Sequence, residues 1–341
     1  MRYLTGVQAQ VVPAAALALW ARTEGLTAER VDQARLRDRS IVLTWAMRGT
    51  LHLIASDDHG WLVPLTTEPS IANAHRRLKQ EGVSSEHAAR ALRLIEGMLA
   101  RDGPLTRSEI AQRLRRHRIR TEGQAIAHLL WVAAAEGVIC HGPNRGGQQG
   151  FALVRDWLGK RKPMGKEAAL GELAFRYLVA HGPAEPADMA FWSGIRMADA
   201  RRAWKSIEGR LVEVPTMRGA RWTLRSQTRR APGGVVRLLP SFDEYLLGWK
   251  DRRPVVQAEH WRAINRGGGW LHPVIVVDGR VMGTWTAERS SKAFGLELHP
   301  FSPLPRPARR SLDREGEDLA RFLGTAMRRR GSSGRSTARR A

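Results

Sequence analysis

The stretch VICHGPNRGGQQGFALV, residues 138–154, decides how the chain folds. Val138–Ile139–Cys140 and Phe151–Ala152–Leu153–Val154 are β-forming runs, and Gly142–Pro143–Asn144–Arg145–Gly146–Gly147 between them supplies the turn of a hairpin with a basic tip. Upstream the spacing predicts helices. His87 to Ala100 places Ala91, Leu92, Ile95, Met98 and Leu99 on one face. Thr106 opens a second helix with Glu109 three residues on, the pattern of a capping box. A third, about Glu122 to Gly137, follows a run containing Arg113, Arg115, Arg116, Arg118 and Arg120. Helices followed by a basic-tipped hairpin give the order of a winged-helix unit, whose hairpin is the wing.

The same order recurs on both sides. Downstream, Ala168–Val179, Pro186–Ser193 and Met197–Glu208 read as helices, then Leu211–Val214 and Arg221–Leu224 as strands around Arg218–Gly219. Upstream, Pro13–Thr23 and Thr27–Arg37 read as helices, followed by β-rich runs at Ile41–Trp45 and Gly49–Ile54, then a helix begun by Ser56–Asp57–Asp58. The period of about 75 residues is too long for a solenoid repeat and suits tandem domains. From Val235 the texture changes to short strands, with Asp278–Gly279 as a hairpin turn and a helix near Asp313–Phe322. The fold class expected is α+β, with tandem winged-helix units followed by a small β-rich, barrel-like domain. The expected segments are 1–84, 85–160, 161–230, 231–327 and a basic disordered tail at 328–341.

The chain has 341 residues, with 56 Lys plus Arg against 33 Asp plus Glu, a formal net charge of +23. Such an excess repels itself in the compact state and becomes useful against a polyanion, with double-stranded DNA the first candidate. An Arg-rich codon bias accounts for the same composition. Cys140 is the single cysteine, so neither a disulfide framework nor a cysteine zinc site is expected, and the 11 His show no metal-ligand spacing. Neither cofactor nor metal is expected. No run of 18 apolar residues and no signal peptide stands in the sequence, which predicts a cytoplasmic, nucleoid-associated, monomeric protein without a membrane partner.

On this reading Arg113, Arg115, Arg116, Arg118, Arg120, Arg145, Arg201, Arg202 and Arg218 are candidate phosphate contacts; any one of them alone reads first as a solvated surface charge, and it is their clustering near the wings and helix ends that favours binding. Arg48 and His52 join them, His52 with the competing reading of a core histidine on a strand. Asp57 and Asp58 read as a helix cap, Asp243 and Glu244 as structural carboxylates after a turn, and Trp45, Trp61, Trp192 and Trp285 as core.

Gly6–Val7–Gln8–Ala9–Gln10 with Ala14–Leu19 and Ala21–Arg22 resembles the opening motif of the AlkZ/YcaQ-type DNA glycosylases. Thr44–Trp45–Ala46–Met47–Arg48–Gly49–Thr50–Leu51–His52–Leu53 resembles that family's second signature, and Val236–Tyr245 and Gly283–Thr284–Trp285 its C-terminal texture. The resemblance implies a tandem winged-helix, monofunctional enzyme that hydrolyses the N-glycosidic bond of alkylated purines, in some members unhooking interstrand crosslinks. It implies Gln8 and Gln10 as catalytic residues of a Gln-x-Gln branch. In an extended segment residues i and i+2 share one face, so the two amides would project together. A glutamine is no general base, but its amide oxygen orients a water and opposes developing positive charge. Two features depart from the family: only seven residues precede Gln8, where a further helix is expected, and Val11–Val12–Pro13 stand in place of an Asp-Pro opening. A noncatalytic tandem winged-helix DNA-binding protein and a winged-helix protein scaffold are the alternatives.

Overall fold

The computed structural model describes residues 1–160, 162–216, 219–227, 232–267, 269–289 and 293–327. It divides into two units. The first comprises Met1–Leu19, Glu29–Ala231 and Phe242–Arg252, the second Trp20–Ala28, Pro232–Ser241 and Arg253–Ala341.

The first unit is built on a six-stranded sheet. In chain order come β1 (Gly6–Gln8), α1 (Val12–Trp20), α2 (Ala28–Leu36), β2 (Ile41–Trp45), β3 (Leu51–Ala55), α3 (His59–Gln80), α4 (Ser85–Asp102), β4 (Leu105–Thr106), α5 (Arg107–Arg116), α6 (Ala125–Ala135), β5 (Ile139–His141), β6 (Gly150–Leu153) and the short α7 (Val154–Trp157). The strand order is β1-β3-β2-β5-β6-β4, antiparallel throughout. Leu43 of β2 pairs with His141 of β5, so one sheet crosses the boundary expected near residue 84. Both β2 and β3 are buried along most of their length, as near-continuous apolar runs require both faces covered.

Two features differ from the sequence expectation. Asp58 does not cap α3. Its carboxylate accepts the Trp61 indole N–H at 3.1 Å and pairs with Arg176 at 2.6 Å, a better use of a buried charge than one backbone donor. The helix placed third in the middle segment is shorter than the expected Glu122–Gly137: α6 spans Ala125–Ala135 and buries eight of its eleven residues, so it serves as core. The basic residues before it lie on α5 and the following turn.

The rest of this unit is α8 (Lys166–His181), α9 (Pro186–Ser193), α10 (Met197–Ser206) and the hairpin β7 (Leu211–Thr216) with β8 (Gly219–Leu224). Its core joins Tyr177, Trp192 and Trp204 to Met47, Leu62 and Val63.

The second unit carries β9 (Val236–Leu239). The chain then returns to the first unit as α11 (Glu244–Leu247), before α12 (Trp261–Ile264), β10 (Val274–Val277), β11 (Arg280–Arg289), β12 (Ala293–Pro300), α13 (Arg306–Leu323) and β13 (Ala326–Met327). The sheet order is β13-β12-β11-β10-β9. Asp278 and Gly279 adopt φ of 47° and 79°, the left-handed pair that a tight two-residue hairpin needs. Trp20 and the segment after it belong here: its indole N–H donates to Asp318 at 2.7 Å, and Arg321 donates to the Leu26 carbonyl at 3.1 Å. Among the described residues no helix is long and apolar enough to cross a membrane.

Candidate active site

β1 is an edge strand three residues long. Gln8 stands opposite His52 of β3, which stands opposite Thr44 of β2, so the three form one cross-strand row. Val7 and Ala9 point into the core and are buried. Gln8 is 7 % exposed, whereas Gln10 is exposed. The Gln8 Nε2 donates to Gln10 Oε1 at 2.9 Å, so the i, i+2 spacing brings the two amides together.

Alternate N–H groups of an edge strand point away from the sheet and need a partner. Ala9 N–H donates inward to the Leu51 carbonyl at 2.7 Å, and the outward Gln8 N–H donates to Glu244 Oε1 at 2.7 Å. Glu244 is 1 % exposed and begins α11, whose N-terminus Asp243 caps by accepting from the Tyr245 N–H at 2.8 Å. Its second oxygen accepts the Trp192 indole N–H at 2.7 Å.

Arg48 sits in the turn between β2 and β3 with φ 58° and ψ 12°, a left-handed conformation uncommon for a residue with a side chain. The turn is held by Ala46 N–H to the Thr50 carbonyl at 3.1 Å and by the Trp131 indole to the Gly49 carbonyl at 3.0 Å. This shape aims the guanidinium at the strand. Its Nη2 donates to Gln8 Oε1 at 2.8 Å and its Nη1 to the Trp192 carbonyl. Gly194, at φ +81°, ends α9 flat against this turn; a Cβ there would come within 2.9 Å of the Arg48 nitrogen.

Burial sets the electrostatics. It raises the Glu244 carboxyl above the ordinary carboxylate range, opposed by the Arg48 charge and by the Trp192 and Gln8 N–H groups. It lowers Arg48, opposed by Glu244. Burial and then the Arg48 charge push the His52 ring down to about 3, so it is neutral beneath the pair. Beside this network Arg252 lies over the ring of Phe191 at 5.5 Å, and Phe191 is 41 % exposed.

The family model described as DNA glycosylase AlkZ-like matches residues 1–322. The chain belongs to the AlkZ-like DNA glycosylase family. Over 344 residues it is 31 % identical to an interstrand DNA cross-link repair glycosylase of Streptomyces sahachiroi, covering 95 % of this chain and 90 % of that protein. The solved structure of Streptomyces sahachiroi DNA glycosylase AlkZ matches with a TM-score of 0.80 at 30 % identity, covering 96 % of this chain and 91 % of that one.

Within this AlkZ-like framework the residues singled out in the sequence fall into three groups. Gln8, Gln10 and Arg48 meet at one point. His52 is fully buried, with Nδ1 2.9 Å from the Thr50 carbonyl, and so lies in the core beneath that point and not at the surface. The remaining arginines are spread over other elements. Arg116, Arg118, Arg120 and Arg201 are exposed. Arg113 pairs with Asp102, Arg115 donates to Thr121 Oγ1 at 3.0 Å, and Arg145 donates to the Pro104 carbonyl at 2.6 Å. Arg202 pairs with Asp199 at 2.5 Å and Glu167 at 3.2 Å. Arg218 lies outside the described residues. The sequence reading missed Trp192 as a partner of Arg48 and Glu244 as a partner of Gln8, since nothing local in either stretch announces contacts 144 and 236 residues away. Among the described residues no cluster of potential metal ligands occurs.

Proposed function

We propose that this chain is a monofunctional DNA glycosylase that hydrolyses the N-glycosidic bond of N7-alkylated purines in duplex DNA, crosslinked bases included. The observation that carries the reading is the Gln8–Gln10 amide pair, 2.9 Å apart, with Gln8 buried and Gln10 exposed. An N7-alkylated purine is already a cation and a good leaving group, so the site need supply only a placed water and a dipole opposing positive charge at C1′. The water oxygen bonds to C1′ as the C1′–N9 bond breaks; the electron pair passes to the purine and quenches its charge, and the spare proton goes to solvent. The name of the Streptomyces sahachiroi relative supports extension to crosslinks.

The segments 1–84, 85–160 and 161–230 are read as winged-helix units, and the five-stranded second unit as barrel-like. Exposed Arg116, Arg118, Arg120 and Arg201 serve as phosphate contacts, and Arg113, Arg115, Arg145, Arg202 and Arg218 are assigned the same role. Release of N7-methylguanine from methylated duplex tests the assignment. The unaltered protein releases the base, and a Gln8→Ala, Gln10→Ala double variant of equal stability does not. Equal release by both, or none by either, overturns it.

A further inference from the structure

Resting on that glycosylase reading, we propose that the two glutamines do different work. Gln10 holds the attacking water, and Gln8 is a positioning residue locked in one orientation by Arg48 and Glu244.

The argument starts from donors and acceptors. A guanidinium only donates hydrogen bonds, so the Gln8 atom 2.8 Å from Arg48 Nη2 is the amide oxygen. The amide is thereby fixed against a flip, and its Nε2 faces Gln10. An amide nitrogen only donates, so Gln10 in turn presents its oxygen, at 2.9 Å. Gln8 is 7 % exposed, with both ends of its amide engaged. Gln10 is exposed, with one lone pair of its oxygen taken and the other open to solvent. A water in the open space beside the pair reaches the exposed Gln10 oxygen, whereas the remaining lone pair of the Gln8 oxygen belongs to a residue only 7 % exposed.

The lock is a closed ring. Gln8 gives its backbone N–H to Glu244 and accepts from Arg48 with its side chain. Trp192 does the reverse, giving its indole N–H to Glu244 and accepting from Arg48 with its backbone carbonyl. Strand β1, helix α9, the turn at residues 46–50 and the first turn of α11 are thus tied at one place, and each charge is compensated within the ring. This also changes the role of Arg48. Its guanidinium is committed to Gln8 and Trp192, so it serves the amide pair and not a phosphate.

The test uses the full-length protein. Single-turnover release of N7-methylguanine at saturating enzyme is measured alongside duplex affinity at several salt concentrations. Arg48→Lys keeps the charge and loses the fork. The release rate then falls on the order of 100-fold, as for a misplaced catalytic group, while duplex Kd stays within about twofold and its salt slope is unchanged. Gln8→Met falls comparably, and the Arg48→Lys, Gln8→Met double variant is no slower than Gln8→Met alone, because both changes break one linkage. Urea midpoints for each variant separate rate from folding, and the cycle is independent of Glu244→Gln, whose burial makes it prone to misfold. Release that survives Arg48→Lys, or rate losses that simply multiply in the double variant, overturns the positioning role. A salt slope shallower by about one, with the saturated rate intact, shows a phosphate contact in its place. If the unaltered protein releases no base, the glycosylase reading itself falls, a result that no variant comparison can mimic.

Discussion

An imidazole taken out of water keeps its neutral form, because the imidazolium loses its hydration. Two rings here are in that position. His52 is pushed down to about 3 by burial and then by Arg48, and His141, between Trp45 and Phe151 with ring centroids 5.0 Å and 4.6 Å away, is pushed down to about 4 by burial and then by Arg35. In the unfolded chain both titrate near the ordinary histidine value of about 6.5. Below that value the unfolded chain binds the protons that the folded one refuses, so stability is complete above it and falls with pH down towards each folded value. Each ring costs about 2 kcal/mol between pH 6.5 and pH 5. Denaturant unfolding at pH 7 and pH 5 is expected to show this loss, and His141→Phe to remove about one ring's share of it. An unchanged slope in that variant would place the acid sensitivity elsewhere.

At the scale of elements, what was legible in the sequence was whatever is set locally. The Thr106–Glu109 capping box forms as read, with Thr106 N–H to Glu109 Oε2 at 2.7 Å. Ile41–Trp45 and Pro186–Ser193 occupy the predicted residues. Thr106→Ala should therefore cost about 1 kcal/mol in denaturant unfolding and leave base release unchanged. The site was legible only in part. β1 is too short to show a period, and Arg48 in its turn looks like any exposed cation until Gln8 and Trp192 are brought to it. Gly194 is the sharper probe of that assembly. Alanine there meets both a positive φ and the Arg48 backbone 2.9 Å away. Gly194→Ala is expected to lose about 1–3 kcal/mol of stability and, by displacing the turn, to slow base release more than Thr106→Ala does. Equal release rates in the two variants would mean that the turn tolerates movement.

Over the whole molecule the charge excess is not uniform in availability. Between α4 and α5 lies an open groove of about 520 Å³ lined by Arg93, Arg101, Asp102, Arg113, Arg116 and His117. Asp102 occupies Arg101 and Arg113, while Arg93 and Arg116 are exposed. If this groove follows the DNA backbone, Arg93→Glu with Arg116→Glu reduces the salt slope of duplex binding by about two and leaves the saturated release rate alone. A slope identical to that of the unaltered protein would exclude the groove from the footprint.

The path of the chain has a consequence in time. Phe242–Arg252 is part of the first unit, yet on both sides it is flanked by stretches of the second. The carboxylate that receives the Gln8 N–H is made 236 residues after Gln8 itself. Until then that edge donor has only water to satisfy it, and Arg48 lacks the buried charge that compensates its own. On the proposed reading, a nascent chain arrested before Phe242 holds both glutamines without the carboxylate that ties Gln8 down, so base release waits for Phe242–Arg252 to be made.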